Sequence, residues 1–262
     1  MTTNTAIPPR LVGHARAAGI LYLVTHVTSV VAVALYAPLR EQPGSVAAGG
    51  GPAVTVAGLL DVVLALAVVG TSIALYPIVR RTAESLAVGY VALRTLEAGV
   101  ILVGVVAGLA VLTLDVTAAT ALPGAPDSAA GAAQSAAAVH GWTFLVGPGL
   151  ICPVNTLVLA FALRRSGLVP RWITTLGLVG APLVFALNIA VAVTDRGFYP
   201  MSTVAAEYPV LGILVAPIFL WEISLAVYLL AWSGRDRGNL TRRPASIPGS
   251  DRQRRTQVES PV

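Results

Sequence analysis

Long uninterrupted runs of apolar residues dominate the chain, and short polar segments separate them. The runs show neither the strict alternation of a half-buried strand nor the one-sided apolar stripe of a surface helix. A bilayer core about 30 Å thick is crossed by roughly 20 apolar residues in a helix, and six runs reach that length. They cover residues 17–37, 54–79, 86–112, 138–163, 172–193 and 209–232. The pattern predicts an all-α membrane protein, a polytopic bundle of six transmembrane helices.

The composition agrees with that pattern and excludes several classes of protein. Of 262 residues, 56% are hydrophobic and 11% are charged, and the mean hydropathy is +0.79. Soluble globular domains carry about 25% charged residues, so a soluble globule and a disordered chain are both excluded. Cys152 is the single cysteine, so the chain has neither an internal disulfide nor a cysteine cluster for a metal. We expect Cys152 to be a small packing residue.

The placement of the arginines predicts the orientation of the helices. All 17 basic residues are arginines, and only Arg40, Arg94 and Arg196 lie outside the N-terminal arm, the second and fourth connections and the C-terminal tail. Because positively charged connections stay cytoplasmic, both termini are expected in the cytoplasm. This distribution follows membrane topology rather than a nucleic-acid-binding face, so no nucleic-acid partner is expected.

Three regions follow from these features. Residues 1–16 form a cytoplasmic N-terminal arm, residues 17–232 form the transmembrane domain, and residues 233–262 form an Arg-rich cytoplasmic tail that is predicted to be disordered. The tail either contacts anionic lipid of the inner leaflet or acts only as a topological anchor. The Ala/Val/Gly-rich, lysine-free composition is typical of GC-rich bacterial genomes, so the expected location is a bacterial inner membrane. The sequence identifies no protein partner.

Two further segments have a distinctive composition. Residues 115–137 are rich in Ala, Ser, Gly and Pro and contain no basic residue, which predicts a flexible external loop. Within the fourth run, Gly147-Pro148-Gly149 is followed by Pro153. Since proline removes a helical hydrogen bond, we expect this helix to bend or unwind locally.

Polar side chains at membrane depth are the candidate functional residues, because a charge in hydrocarbon needs a partner or a water-filled cavity. At 1.5 Å rise per residue, five of them lie roughly 12–16 Å from the cytoplasmic end of their helices. These five are His26, Arg94, Glu97, Asn155 and Glu222. Two more, Asp61 and Asn188, lie about 24–27 Å deep. The depths predict a central polar cluster and an outer polar pair.

The charges of the central cluster do not balance. Arg94 stays protonated in lipid and therefore needs a carboxylate. Glu97, three residues further along the same helix, is one candidate, and Glu222 on the sixth helix is the other. One arginine with two glutamates leaves a surplus negative charge, which would recruit a proton or a cation, and a protonated His26 would offset it. The alternative without a functional site is a structural ion pair that fixes how the third and sixth helices pack.

Four short motifs support a family resemblance. They are AAGILYL at 17–23, LRTLEAG at 93–99, LVPRWITTLGL at 168–178 and WEISLAVYL at 221–229. Together, and in this order, they resemble the bacterial membrane family catalogued as domain of unknown function 4386, over roughly residues 10–232. The resemblance implies a multi-helix membrane protein of similar size, and it implies no activity, substrate or catalytic residue.

Two functional hypotheses remain open at this point. The chain is either a small-solute or proton-coupled carrier that uses the surplus carboxylate, or a structural or regulatory membrane protein whose buried charges only hold helices together. A membrane enzyme ranks last, because the sequence contains no HExxH, Walker or GxSxG motif. Neither a cofactor nor a metal is expected. The three histidines lie at different depths, which argues against paired haem ligation.

Overall fold

The computed structural model describes residues 11–41, 46, 49–120, 126–194 and 209–241, and these residues are almost entirely helical. A π-helical segment, Leu145–Ile151, joins α5 to α6. The α-helices are α1 (Val12–Leu35), α2 (Ala37–Glu41), α3 (Gly51–Val79), α4 (Glu84–Thr120), α5 (Pro126–Phe144), α6 (Cys152–Ser166), α7 (Arg171–Thr194) and α8 (Pro209–Thr241).

The prediction of six spans in an all-α fold is confirmed. Among the described residues, six helical stretches are long and apolar enough to cross a membrane, and α5, the π-helical segment and α6 together form the fourth, Ser128–Ser166. Large apolar side chains on the outer faces are exposed, including Leu66, Val106 and Ile213. Such a surface suits hydrocarbon rather than water.

The predicted flexible loop at 115–137 is wrong over its described part. The backbone is helical through Thr120 and again from Pro126, and residues 121–125 lie outside the described residues. Alanine has the highest intrinsic helix propensity, and Ala133 and Ala137 pack into a buried cluster with Ala32 and Val54. Alanine-rich composition was therefore the signal of a packed helix rather than of a loop.

The ends of the chain differ from the predicted bounds in a similar way. The first span begins at Val12 rather than at residue 17. The last helix continues to Thr241, nine residues past the predicted end at 232 and into the segment expected to be disordered. Residues 1–10 and 242–262 lie outside the described residues, so most of the predicted arm and tail do as well.

Close helix approaches set the position of the last span. A Cβ atom at Gly180 on α7 would lie 2.5 Å from the backbone nitrogen of Ile218 on α8, and one at Gly19 on α1 would lie 2.8 Å from the carbonyl oxygen of Ala226. Small residues allow such close backbone contacts between membrane helices. Glu222 lies between these two contact points on α8, so it is held between α1 and α7.

The predicted irregularity in the fourth span is confirmed as the π-helical segment, which contains Gly147, Pro148 and Gly149. Short π-helical insertions often accompany functional sites. A Cβ atom at Gly149 would lie 2.6 Å from the amide oxygen of Asn188. The glycine therefore makes room for the Asn188 side chain of α7.

Candidate functional site

A cavity of about 240 Å³ lies between α1, α3, α4, the π-helical segment, α6, α7 and α8. Its wall is mostly apolar, with the rings of Phe144 and Phe219 among the lining side chains. Charged and polar groups line the same cavity, namely Thr25, His26, Ser29, Arg94, Glu97, Cys152, Asn188 and Glu222. Four of the five residues of the predicted central cluster therefore line an open space, and the fifth, Asn155, is fully buried next to Glu97.

The first ion pair of the cavity is Arg94–Glu97. The guanidinium Nη1 lies 3.2 Å from Glu97 Oε2, and Asn155 Nδ2 on α6 donates a hydrogen bond to the same oxygen. Arg94 Nε donates to the hydroxyl of Tyr90 at 3.2 Å. Both side chains of the pair are only 3–4% exposed. Each charge therefore has several fixed partners and little access to solvent.

Two tyrosine rings complete the surroundings of Arg94. Its guanidinium carbon lies 5.4 Å from the ring centroid of Tyr22 and 5.7 Å from that of Tyr90, which is within the range of cation–π attraction. The two tyrosine hydroxyls are hydrogen-bonded to each other at 2.8 Å. This contact joins α1 to α4 next to the arginine.

The second ion pair is His26–Glu222, between α1 and α8. His26 Nε2 lies 3.4 Å from Glu222 Oε2, and the side chains are 12% and 17% exposed. His26 Nδ1 lies 3.1 Å from the carbonyl oxygen of Tyr22. Because a carbonyl only accepts, Nδ1 carries the hydrogen in this contact, and Nε2 is the nitrogen that faces Glu222.

This geometry makes the second pair depend on one proton. With a proton between Nε2 and Oε2, the pair is either an imidazolium facing a carboxylate or an imidazole facing a carboxylic acid. Without the proton, a lone pair of Nε2 faces a negative carboxylate, and Glu222 carries a charge that His26 does not offset. The edge-on Phe219 ring, 4.9 Å from the imidazole centroid, and the Cys152 thiol, 4.0 Å from Glu222 Oε1, complete the surroundings.

The structure brings together all five residues of the predicted central cluster, with a partner assignment that sequence left open. Glu97 pairs with Arg94, whereas Glu222 pairs with His26. Asn155, which the depth estimate placed at the same level, binds Glu97.

Asp61 and Asn188, the predicted outer pair, line different pockets. Asn188 lines the central cavity, and its Nδ2 donates to the Val184 carbonyl oxygen at 2.8 Å. Asp61 is buried at the edge of a small pocket that it shares with His140. The two residues were paired only because their predicted depths are similar. Depth does not show in which direction a side chain points from its helix.

Sequence reasoning missed Tyr22 and Tyr90 and treated Cys152 as packing alone. A signal for Tyr90 was present, because it lies four residues before Arg94 and therefore on the same helix face. The same kind of spacing marks Tyr22, four residues before His26, and Cys152, three residues before Asn155. Within the described part of the chain, no group of three His, Cys, Asp or Glu side chains is arranged to hold a metal ion.

Comparison with known proteins gives a family but no activity. The family described as "Domain of unknown function (DUF4386)" matches residues 17–232, which is most of the chain and includes every residue of the central cavity. No curated protein and no solved structure matches the chain.

Proposed function

We propose a function from the cavity alone, because the chain belongs to the DUF4386 family, whose description assigns none. The chain is a multi-pass membrane protein, and we propose that it is a proton-coupled carrier of a small solute. The His26–Glu222 pair is the proton site, and the adjoining cavity is the solute site. The observation that carries this proposal is the geometry of the pair, which needs one proton to be neutral and lies on a cavity wall.

A carrier needs a group whose charge changes, and the second pair supplies one. His26 is neutral or positively charged, depending on whether Nε2 holds a proton. Arg94 has no such choice, since a guanidinium remains protonated in proteins. His26 and Glu222 are partly exposed and line the cavity, so a solute in the cavity would reach the pair directly.

A carrier also needs space for its cargo and a backbone able to adjust around it. An apolar cavity of about 150 Å³ is enough to take up benzene, and this cavity is larger, at about 240 Å³. The π-helical segment forms part of its wall through Leu145, Pro148 and Gly149. In membrane transporters, irregular helical backbone commonly lines the binding site.

The finer topology belongs to the same proposal. The arginine distribution supports cytoplasmic termini in a bacterial inner membrane. It also supports a contact between the Arg-rich tail and anionic lipid of the inner leaflet. With the N-terminus inside, α1 runs outward and α8 runs inward, which is the antiparallel arrangement that their contacts require.

A structural or regulatory role is the second candidate, and the Arg94–Glu97 pair is the observation in its favour. That pair is only 3–4% exposed. It has hydrogen bonds to α6 and within α4, and Tyr90 connects it to α1. Such an arrangement stabilises helix packing without any ligand. On this second view, the His26–Glu222 pair has the same packing role.

A thermal-stability screen of the detergent-purified protein distinguishes the two candidates. The screen covers cationic, neutral and anionic small solutes, inorganic ions, lipids and haem, at pH 6 and pH 8. A specific binder at a hundredfold excess over its dissociation constant stabilises the folded state by about 2.7 kcal/mol. We expect at least one stabilising solute whose effect disappears in Glu222→Gln.

Glu84→Gln is the matched control, because Glu84 is an exposed carboxylate at the start of α4. The stabilising effect should persist in that variant. Absence of any Glu222-dependent solute, together with a Glu222→Gln protein that is itself unstable, would contradict the carrier and support the structural role.

A further inference from the structure

We infer that the cargo is a small, apolar, monovalent organic cation that binds Glu222 in exchange for the proton of the His26–Glu222 pair, an inference that rests on the function proposed above. Three observations support it: the charge balance of the cavity, the nature of its wall, and its volume.

The charge balance leaves one negative charge for the cargo. Arg94 and Glu97 neutralise each other at 3.2 Å, and the remaining hydrogen bond of Arg94 goes to Tyr90. Among the described residues, the partners of Glu222 are conditional or weak, namely His26, which is charged when protonated, and the Cys152 thiol at 4.0 Å. Once the pair loses its proton, the cavity carries a net charge of minus one.

The neighbouring helices supply no further charge to the described cavity wall. Besides the two ion pairs, α6 contributes Cys152, α7 contributes Val184 and Asn188, and α3 contributes Leu64 and Val68. The α1 side chains Thr25 and Ser29 add two hydroxyls. A cation that enters is therefore attracted by Glu222 and otherwise contacts uncharged hydroxyl, amide, thiol and apolar groups. An anion would be repelled by the Glu222 carboxylate, and the attraction of Arg94 for it is already offset by Glu97.

The apolar wall favours an organic cation over a metal ion. Calcium takes six to eight oxygen ligands, and magnesium keeps an octahedral shell, whereas the unneutralised acid here is a single carboxylate among aliphatic and aromatic side chains. The Phe219 ring packs against the imidazole next to Glu222, and Phe144 lines the same space. Aromatic faces attract organic ammonium groups.

The volume sets the size of the cargo. The cavity, at about 240 Å³, exceeds the roughly 150 Å³ that accepts benzene and is below the roughly 300–1,000 Å³ typical of drug-sized ligands. A single substituted ring or an equivalent branched alkyl group therefore fits.

The exchange conserves charge. A protonated pair plus a cation gives a neutral His26, a Glu222 carboxylate paired with the cation, and one released proton. No covalent bond changes. Since the cation and the proton compete for one site, each lowers the affinity of the protein for the other by the same factor.

Three aromatic probes of similar size and different charge test the inference: N-methylpyridinium, benzyl alcohol and benzoate. Their affinities are measured by thermal shift on the full chain in detergent. We expect N-methylpyridinium to bind about tenfold or more tightly than either other probe. That preference should disappear in Glu222→Gln and persist in Glu84→Gln.

The proton stoichiometry gives a second readout that needs no variant. N-methylpyridinium keeps its charge at every pH, so a change in its affinity reports the protein alone. We expect its affinity to rise with pH, because protons compete with the cation for the pair, while the affinity for benzyl alcohol stays constant. Calorimetry in two buffers of different ionisation enthalpy should show proton release, approaching one proton per bound cation as the pH is lowered. If Glu222→Gln fails to fold, this measurement on the wild-type protein is sufficient.

The outcomes separate this inference from the proposed function. Glu222-dependent binding of benzyl alcohol or benzoate, or cation binding without proton release, overturns the cation exchange and leaves a carrier of another solute. Absence of any Glu222-dependent binder in the full panel overturns the proposed function itself. Preferential cation binding with proton release supports both.

Discussion

Each of the two ion pairs of the central cavity contains one glutamate, but the two glutamates differ in their partners and in their exposure. Arg94–Glu97 joins a permanent cation to a carboxylate with 3–4% exposure and additional partners on α4 and α6. His26–Glu222 joins a conditional cation to a carboxylate with 12–17% exposure and weak additional partners. The two pairs therefore differ in the number of their fixed partners and in their exposure. On the function proposed above, this difference makes the first pair a fixed structural charge and the second an exchangeable one.

Removing the fixed cation should have the largest effect. Arg94→Gln leaves Glu97 buried without its counter-charge, and breaking a buried pair in this way typically costs about 3–5 kcal/mol. We expect a corresponding loss in the free energy of unfolding, and a lower yield of folded protein in detergent. Arg81→Gln, at an exposed arginine of the connection between α3 and α4, is the control. Wild-type stability in Arg94→Gln would show that the first pair does not hold the bundle together.

A smaller loss is expected when the neutral partner of that pair is removed. Asn155→Leu keeps the size of the side chain and deletes the hydrogen bond to Glu97. A hydrogen bond to a charged group contributes about 1.5–3 kcal/mol, and the free energy of unfolding should fall by that amount. Chemical denaturation followed by tryptophan fluorescence measures it. A change below the error of that measurement would mean that Glu97 is held by Arg94 alone.

The hydroxyl of Tyr90 should contribute less. Tyr90→Phe removes the hydrogen bonds to Arg94 and Tyr22 and keeps the ring next to the guanidinium. Since a typical hydrogen bond contributes about 0.5–1.5 kcal/mol, a modest drop in melting temperature is expected, with solute binding unchanged. Tyr76→Phe in α3 serves as the comparison, because its ring contacts Arg80 instead. Loss of solute binding in Tyr90→Phe would extend the functional site to the first pair.

The smallest effect on stability is expected at the second pair. In Glu222→Gln the amide can donate to the lone pair of His26 Nε2. The variant therefore keeps the hydrogen bond of the protonated pair but has no proton to release. The free energy of unfolding should change by about 1 kcal/mol or less, while Glu222-dependent solute binding is lost. Circular dichroism melts and the solute screen report the two properties separately. A severe loss of folded protein would mean that the His26–Glu222 pair has a structural role, as Arg94–Glu97 does.

The sequence predicted the bundle well because membrane thickness fixes helix length, and length is visible in the apolar runs. It also predicted the level of the central cluster, since depth follows from the rise per residue. It left the partner of Glu222 undetermined, because depth does not define the rotation of a helix about its axis. The Glu97 partner was accessible, as the spacing from Arg94 already placed both on one face.

The failures have the same physical origin. Asp61 and Asn188 share a depth, and their helices turn them toward different pockets. The alanines of the segment around 115–137 favour a helix, but the buried cluster that Ala133 and Ala137 join with residues of α1 and α3 is not visible in local composition. The contact between Tyr22 and Tyr90 became visible only when α1 was packed against α4.

The most direct test makes the same substitution at both acids of the cavity. Glu97→Gln and Glu222→Gln each change one carboxylate of the same cavity to an amide. Thermal unfolding of both variants is measured with and without the solute panel. The account predicts that Glu97→Gln loses stability on the scale of a broken buried pair, about 3–5 kcal/mol. It predicts that Glu222→Gln melts close to the wild type and no longer responds to the solute. Equal loss of stability in both variants, or a solute response retained in Glu222→Gln, would contradict the division of roles.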